Sequence, residues 1–251
     1  FDDDAKVASK ELDLALTTRD RGKPKEEQTP MCGIPFHSAE TYIAKLISKG
    51  YKVAICEQLE DPNLVKGLVE RGVIRIITPG TVTESSMLEE SCSNYIASVF
   101  ADDSSGGIAF CDISTGEFCT TSFSGKSDMV DGHLINELTR FSPSEVLVSP
   151  ETAKRTEILE FIRDKLGAMT EEDENWFVPE TAKASVAEQF PEDRAALNGQ
   201  PAAETASGAL LYYLKQTQKF DLSHISSPEV SYVKKYMELD WVTARSLELT
   251  E

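Results

Sequence analysis

The most constraining stretch of this sequence is residues 29–82, in which a rigid loop runs directly into a helix and two strands. Proline fixes φ and glycine permits tight turns, so three residues limit the loop to an extended, turn-rich path: Pro30, Gly33 and Pro35. Ser38 is a favourable N-cap, and Gly50 suits the position just after a helix. The sequence therefore predicts a helix over 39–49 that begins where the loop ends.

Two apolar runs after this helix predict two strands. Residues 51–56 are apolar through their middle, so we expect a strand that is buried on both faces. Residues 73–78 form the second run, which a Pro-Gly pair closes. Arg75 lies between Ile74 and Ile76, so its side chain is expected on the opposite face of that strand, toward bare solvent or a phosphate.

The pattern of elements divides the chain into three predicted units. A helix over 2–16, with apolar residues at helical spacing, joins the loop and strands in a small mixed α/β domain over 1–90. The boundary is placed in a polar, serine-rich stretch. A second domain is predicted over 91–225. Residues 226–251 are predicted to begin a further domain, and the opening at Phe1 suggests an excerpt from a longer chain.

The second domain is predicted to be a mixed sheet with helices on its faces. Three short strands joined by hairpin loops come first, and helices and strands then alternate. The predicted strands are 95–101, 107–113, 117–123, 145–149 and 176–178. The predicted helices are 129–141, 151–166, 182–190 and 202–218, and an acidic loop is predicted over 167–175. This arrangement resembles the ribonuclease H-like fold, so the fold class is α/β in both domains.

The charge distribution separates these two domains. The net charge of −18 by itself argues against nucleic-acid binding. Residues 1–91 carry 12 Lys/Arg against 16 Asp/Glu, a net of −4, and residues 92–251 carry 13 against 27, a net of −14. Within 17–80 the balance is 10 against 8, a net of +2. Cations therefore concentrate around the loop and its strands, whereas the acidic remainder suits a protein partner better.

Cysteine use and hydropathy indicate a reduced protein of the cytoplasm. The five cysteines are odd in number and scattered, and no Cys/His spacing matches a zinc site. Cys111 and Cys119 flank a predicted hairpin turn and are able to face each other, which leaves a disulfide as an alternative. The sequence has no signal peptide and no run of about 18 apolar residues, so no membrane contact is expected.

A Gly-Lys-Ser motif and a loop histidine are candidates for phosphate binding and catalysis, but the sequence favours ordinary structural roles for both. The Gly-Lys-Ser of Gly125–Ser127 resembles the end of a phosphate-binding loop, but Thr120 occupies a position where that loop requires glycine. A surface turn is therefore expected there. His37 has no His or Cys at ligand spacing, so a hydrogen-bonded loop histidine is expected rather than a catalytic one.

Asp112 raises a further catalytic alternative. It lies near the end of a predicted strand, and Glu117, Asp131 and Glu137 are candidates to lie nearby. A carboxylate cluster on a ribonuclease H-like sheet would hold two magnesium ions for phosphodiester cleavage. The other interpretation is that Asp112 bonds the local backbone of a hairpin turn.

The loop before the Pro-Gly segment carries the candidate DNA contacts. Four cations precede Met31 on this loop: Arg19, Arg21, Lys23 and Lys25. They predict either a solvated loop or one that lies along a duplex. In the second case the cations contact phosphates while an apolar side chain reaches the minor groove.

Five segments of the sequence resemble the MutS family of DNA mismatch repair proteins, in the expected order. They are DDDAKVASKELDLALTTR, PMCGIPFHSAETYIAKLISKGYKVAICEQLEDP, VERGVIRIITPGT, IAFCDISTGEF and LDWVTARSLELTE. The last carries Ser246 where the family pattern leads us to expect Asn. The resemblance implies a mismatch-recognition domain followed by a ribonuclease H-like connector domain and the start of the core domain.

The resemblance also implies function and partners. It implies binding of mismatched double-stranded DNA, with Met31 near the minor groove and Arg19, Lys23 and Arg75 as phosphate contacts. A Phe-x-Glu reader is expected immediately before Phe1, so this chain would lack it. The full-length parent is implied to be a homodimer that uses ATP and magnesium, and the connector domain is implied to contact a MutL-type partner. For the 251 residues themselves we expect no cofactor and no catalysis. The alternatives are a magnesium-dependent nuclease and a pure protein-interaction module.

Overall fold

The computed structural model describes residues 1–61, 67–84, 87–88, 92–219, 221–230, 243 and 246–247. The residues up to 84 are called the N-terminal region below, and those from 92 to 230 the sheet region. Within the described ranges, none of the helices has the length and apolar character that crossing a membrane requires.

The N-terminal region consists of two helices and two small antiparallel sheets. Its helices are α1 (Asp2–Leu12) and α2 (Ala39–Ile47), and its strands are β1 (Thr17–Thr18), β2 (Pro30–Met31), β3 (Val53–Gln58) and β4 (Arg71–Ile77). β1 pairs with β2 and β3 pairs with β4. The predicted small α/β unit is therefore present. Its described core is thin: Ile47, Ile77 and Val82 form one small buried cluster, and Ala5 of α1 is buried separately.

Two predictions in this region need correction. The helix predicted over 2–16 ends at Leu12, because Asp13 adopts a left-handed conformation with φ of 55°. The strand predicted over 51–56 runs over Val53–Gln58, and it is not buried on both faces. In the described structure it pairs only with β4, so four of its six side chains are exposed.

The sheet region contains one six-stranded mixed sheet. Its strands are β5 (Tyr95–Ala101), β6 (Ser105–Asp112), β7 (Glu117–Ser124), β8 (Glu145–Val148), β9 (Met169–Glu172) and β10 (Glu229–Val230). The spatial order is β10-β7-β6-β5-β8-β9. β5, β6 and β7 are antiparallel neighbours, and the β5–β8 and β8–β9 pairs are parallel. The predicted mixed sheet is confirmed.

Helices cover both faces of this sheet. The helices are α3 (Ser127–Phe141), α4 (Thr156–Phe161), α5 (Pro179–Gln189) and α6 (Pro201–Gln218). One apolar core lies under α5 and α6, and the other lies under α3 and α4. α6 lies very close to β6, since a Cβ on Gly107 would approach the carbonyl oxygen of Ala202 to 2.1 Å. Glycine is therefore required at this crossing.

Three sequence predictions in the sheet region are wrong in kind. Residues 176–178 were expected as a strand, but they belong largely to a 3-10 turn over Glu174–Phe177, whose aromatic rings fill the core under α6. The acidic loop expected over 167–175 contains β9, which pairs with β8. The helix expected over 151–166 is divided into a 3-10 turn, α4 and a π turn that ends at Gly167. Most of 226–251 lies outside the described residues.

Candidate nucleic-acid interface and its anchor

The basic loop is closed at its base by β1 and β2. Thr17 pairs with Met31 and Thr18 pairs with Pro30, so residues 19–29 form the loop between two paired strands. Internal turns order the loop: the amide of Lys23 donates to the carbonyl of Asp20 at 2.9 Å. The loop therefore has a defined path.

The described cations of this loop point to solvent. Arg19, Arg21 and Lys23 are exposed. Lys23 forms an ion pair with Asp20 at 3.3 Å, and this contact is the main cause that lowers the pKa of the Asp20 carboxyl. Met31 is half-buried in β2, which lies against α1. The loop thus presents cations beside an apolar residue, an arrangement that suits a phosphate backbone.

Arg75 is not exposed to bare solvent, contrary to one expectation. Its side chain is 17% exposed and forms an ion pair with Glu84 at 2.6 Å. Its Nε donates to the side-chain oxygen of Gln218 in α6 at 3.1 Å, and its Nη2 donates to Thr83 at 2.9 Å. The C-terminal end of α6 covers this face of β4, which explains the burial. A phosphate contact by Arg75 stays a prediction, and the structure adds an anchoring role.

A turn at the end of β4 is the second anchor of the N-terminal region. Thr78 and Thr81 cap the 3-10 turn over Pro79–Thr81 reciprocally, with their hydroxyl oxygens 2.8 Å apart. The amide of Gly80 donates to Oε2 of Glu145 at 3.0 Å, and the Thr78 hydroxyl donates to the same oxygen at 2.5 Å. Glu145 is the first residue of β8. The carboxylate therefore joins the turn to the central sheet.

Sequence reasoning missed the role of Glu145. The one available signal was a charged residue at the start of an otherwise apolar strand, EVLV. The side chain is fully buried, and its Oε1 accepts a hydrogen bond from the Tyr213 hydroxyl at 2.6 Å. Burial raises the pKa of Glu145, while the donors Thr78, Tyr213 and Gly80 and the charge of Lys52 act in the lowering direction. Burial and the neighbouring carboxylate raise the pKa of Tyr213.

The turn fits tightly against the sheet region. A Cβ on Gly80 would lie 2.8 Å from the Cβ atoms of Glu145 and Ile96, so glycine permits the close approach. The Asn94 side-chain amide donates to the carbonyl of Pro79 at 2.9 Å. Buried, directional bonds thus hold this turn from several sides.

The carboxylates proposed for a nuclease do not assemble into a cluster. Oδ1 of Asp112 accepts hydrogen bonds from the amide and hydroxyl of Ser114 at 2.9 and 2.6 Å, and Oδ2 accepts from the amide of Asn94. Glu117 accepts a bond from Tyr95, and Asp131 pairs with Arg155. The turn interpretation of Asp112 is confirmed. Among the described residues, no group of three or more His, Cys, Asp or Glu is placed to hold a metal ion.

The pairing register of β6 and β7 excludes the alternative of a Cys111–Cys119 disulfide. Cys111 lies opposite Phe118 and Cys119 lies opposite Phe110, so the two thiols project from opposite faces of the sheet. The disulfide alternative is therefore wrong, and both cysteines are free.

The Gly125 amide donates to the carbonyl of Ser104 in a turn between β7 and α3, which confirms the expected surface turn.

The fold and the site define a class: a two-part α/β protein in which a region with an exposed basic loop is held against an acidic mixed sheet through Arg75 and the turn at Thr78–Thr81. Residues 1–86 match the family model described as MutS domain I, and residues 94–226 match MutS domain II. The chain belongs to the MutS family, as the sequence resemblance predicted.

Curated relatives agree over the whole chain. The chain is 47% identical over 252 residues to the DNA mismatch repair protein MutS of Acetivibrio thermocellus, covering 100% of this chain and 28% of that protein. It is 42% identical over 252 residues to the protein of the same name from Ruminiclostridium cellulolyticum, with the same coverage. For Alkaliphilus oremlandii the identity is 42% over 257 residues, covering 29% of that protein. The chain thus spans less than a third of the length of these relatives.

Proposed function

We propose that this chain binds mismatched double-stranded DNA in mismatch repair, through its N-terminal region and without catalysis of its own. The observation that carries the proposal is the ordered loop over 19–29, which presents exposed cations within the residues that match MutS domain I. Arg19 and Lys23 are the proposed phosphate contacts.

The physical basis is the deformability of a mispaired step. A mispaired or unpaired base lowers the cost of unstacking and bending the duplex, so a protein that binds bent DNA prefers such sites. Phosphate contacts supply affinity that depends on salt, whereas contacts in the minor groove supply selection. Met31 is the proposed apolar contact, and its half-buried position in β2 fits an auxiliary role.

The sheet region is proposed to face a protein rather than DNA. It carries most of the negative charge of the chain, which repels a phosphate backbone. We propose a MutL-type partner for this region, and a pull-down with that partner tests it. For the longer family members, a homodimer, ATP and magnesium, and a cytoplasmic location are proposed likewise.

The test is fluorescence anisotropy of the 251-residue chain on three labelled duplexes at low salt. One duplex is fully matched, one carries a G·T mismatch, and one carries a single unpaired base. We expect binding to all three, with the highest affinity for the duplex with the unpaired base, because that duplex bends at the lowest cost. Absence of binding to every duplex at low salt would contradict the proposal.

A further inference from the structure

We propose that Glu145 is a positioning residue that locks the N-terminal region onto the sheet region through the turn at Thr78–Thr81. Arg75 and Gln218 form the second point of the same lock. This inference goes beyond DNA binding, because it concerns how the DNA-facing region is held against the region proposed to face a protein partner.

The bonds of the lock between the two regions are buried and directional. Glu145 receives two donors from the turn, and Gln218 accepts from Arg75 and donates to the carbonyl of Ile76 at 3.4 Å. Glu145, Thr78 and Gln218 each have 0% exposure. Bonds of this kind are lost together if the regions separate, because a buried polar group without a partner is costly.

The lock lies to one side of a cleft between the two regions. A cleft of about 980 Å³ lies between α2 and the turn that joins α3 to β8. Ile47 and Ser48 line one wall, and Ser142 and Ser144 line the other. Pro79 of the turn and Asn94, whose side chain donates to the Pro79 carbonyl, line the same cleft. Loosening the lock would therefore let the two regions rotate about this edge.

An ion pair that also joins the described parts of the two regions is only partly buried. Lys52 pairs with Glu171 of β9 at 2.7 Å, and the two side chains are 37% and 25% exposed. Ion pairs in contact with water contribute little to stability. The orientation of the N-terminal region thus depends mainly on Glu145 and on the Arg75–Gln218 contact.

The test measures the distance between spin labels on the full 251-residue chain, with no DNA present. One label is placed on the exposed Cys56 of β3 and the other on Glu157→Cys in α4, with Cys32→Ser and Cys92→Ser to leave single sites. Double electron–electron resonance is expected to give one narrow distance distribution for this labelled 251-residue chain without further substitutions, which is the parent chain of the variants below. Because no DNA is present, failure of this lock and failure of the proposed DNA function are distinguishable.

Two substitutions are expected to loosen the lock. Glu145→Ala removes the acceptor, and Thr78→Val removes a donor while keeping the shape of the side chain. Both should broaden the distance distribution and raise hydrogen exchange at the Gly80 amide by about tenfold or more, as loss of a buried hydrogen bond implies. Glu145→Gln keeps an acceptor for the turn, so it should restore the narrow distribution.

The matched control is Glu117→Ala. Glu117 also accepts a bond from a tyrosine, Tyr95, but both residues lie within the sheet region. Its distribution should match that of the parent chain. If Glu145→Ala does not fold, the distance distribution of Thr78→Val tests the proposal instead. Folded variants at Glu145 and Thr78 that keep the parent distribution would overturn the proposal, even if they lose stability.

Discussion

The N-terminal region and the sheet region are stabilised in different ways. The sheet region has two apolar cores, one on each face, and its central strands are almost entirely buried. The N-terminal region has a small core, exposed strands and two-stranded sheets. It therefore depends on polar anchors at its junction with the sheet region. The difference shows that a region with a small core and exposed strands can be held by polar contacts to a neighbouring region that has larger cores.

The largest expected difference is between two phenylalanines. Phe110 is buried and its ring stacks on that of Phe141 with centroids 4.1 Å apart, whereas Phe36 is 92% exposed. Phe110→Ala should cost about 3–5 kcal/mol of unfolding free energy through the lost burial and the cavity. Phe36→Ala should stay within about 0.5 kcal/mol. Urea unfolding of both variants measures this, and similar losses would break the comparison between the regions.

A smaller loss is expected at Arg75. Arg75→Met keeps the apolar stem but removes the bonds to Glu84 and Gln218, so about 2 kcal/mol should be lost. The control is Arg71→Met at the exposed start of β4, for which a change below about 0.5 kcal/mol is expected. The changes in unfolding free energy of both variants are obtained from their urea unfolding midpoints, provided that the dependence of the free energy on urea concentration is unchanged. Equal effects at the two arginines would refute the anchoring role.

The pH dependence of Glu145 has a definite sign. Burial raises the pKa of its carboxyl in the folded chain, so its contribution to stability is fully present below the unfolded pKa of about 4.3. That contribution is lost as the pH rises through the raised folded pKa. Glu145→Gln lacks this titration, so its stability relative to the parent should increase as the pH rises. Urea unfolding of Glu145→Gln and of the unsubstituted chain, from below the unfolded pKa of about 4.3 to higher pH, measures this difference. A decrease in the relative stability of Glu145→Gln as the pH rises would contradict the burial effect.

The smallest expected effect on DNA binding is at Met31. Because its side chain is half-buried in β2, Met31→Ala should weaken duplex binding by less than about tenfold, or roughly 1.4 kcal/mol. Anisotropy on the duplex with the unpaired base gives this value. A larger loss, in a variant with unchanged unfolding midpoint, would promote Met31 from an auxiliary contact to a principal one.

Local pattern was sufficient for most elements of the sheet region. Strands β5, β6 and β7 and helices α3 and α6 follow from alternation, hairpin loops and helical periodicity, and their observed limits lie close to the predicted ones. The Trp-Phe-Val run at 176–178 misled because a short apolar run fits a strand or a turn equally well. The acidic stretch forms β9 because it pairs with β8, and local sequence pattern does not report a tertiary contact of this kind.

Local sequence pattern does not predict the contacts that hold the N-terminal region against the sheet region. Arg75 bonds to Gln218, which is 143 residues away along the chain, and alternation alone places Arg75 on a face without saying what covers it. Glu145 meets Thr78 across 67 residues. By contrast, the exposed loop cations Arg19 and Lys23 followed from composition and spacing, because a polar loop with Gly and Pro predicts its own exposure.

The most direct test of the account is the salt dependence of duplex binding by three forms of the chain. The first is the parent, the second carries Arg19→Ala with Lys23→Ala, and the control carries Lys165→Ala with Lys183→Ala on the exposed surface of the sheet region. Loss of two phosphate contacts should reduce the slope of log K against log salt by roughly 1.8, and the control should keep the parent slope. An unchanged slope for the loop variant, or a reduced slope for the control alone, would contradict DNA binding through the N-terminal region.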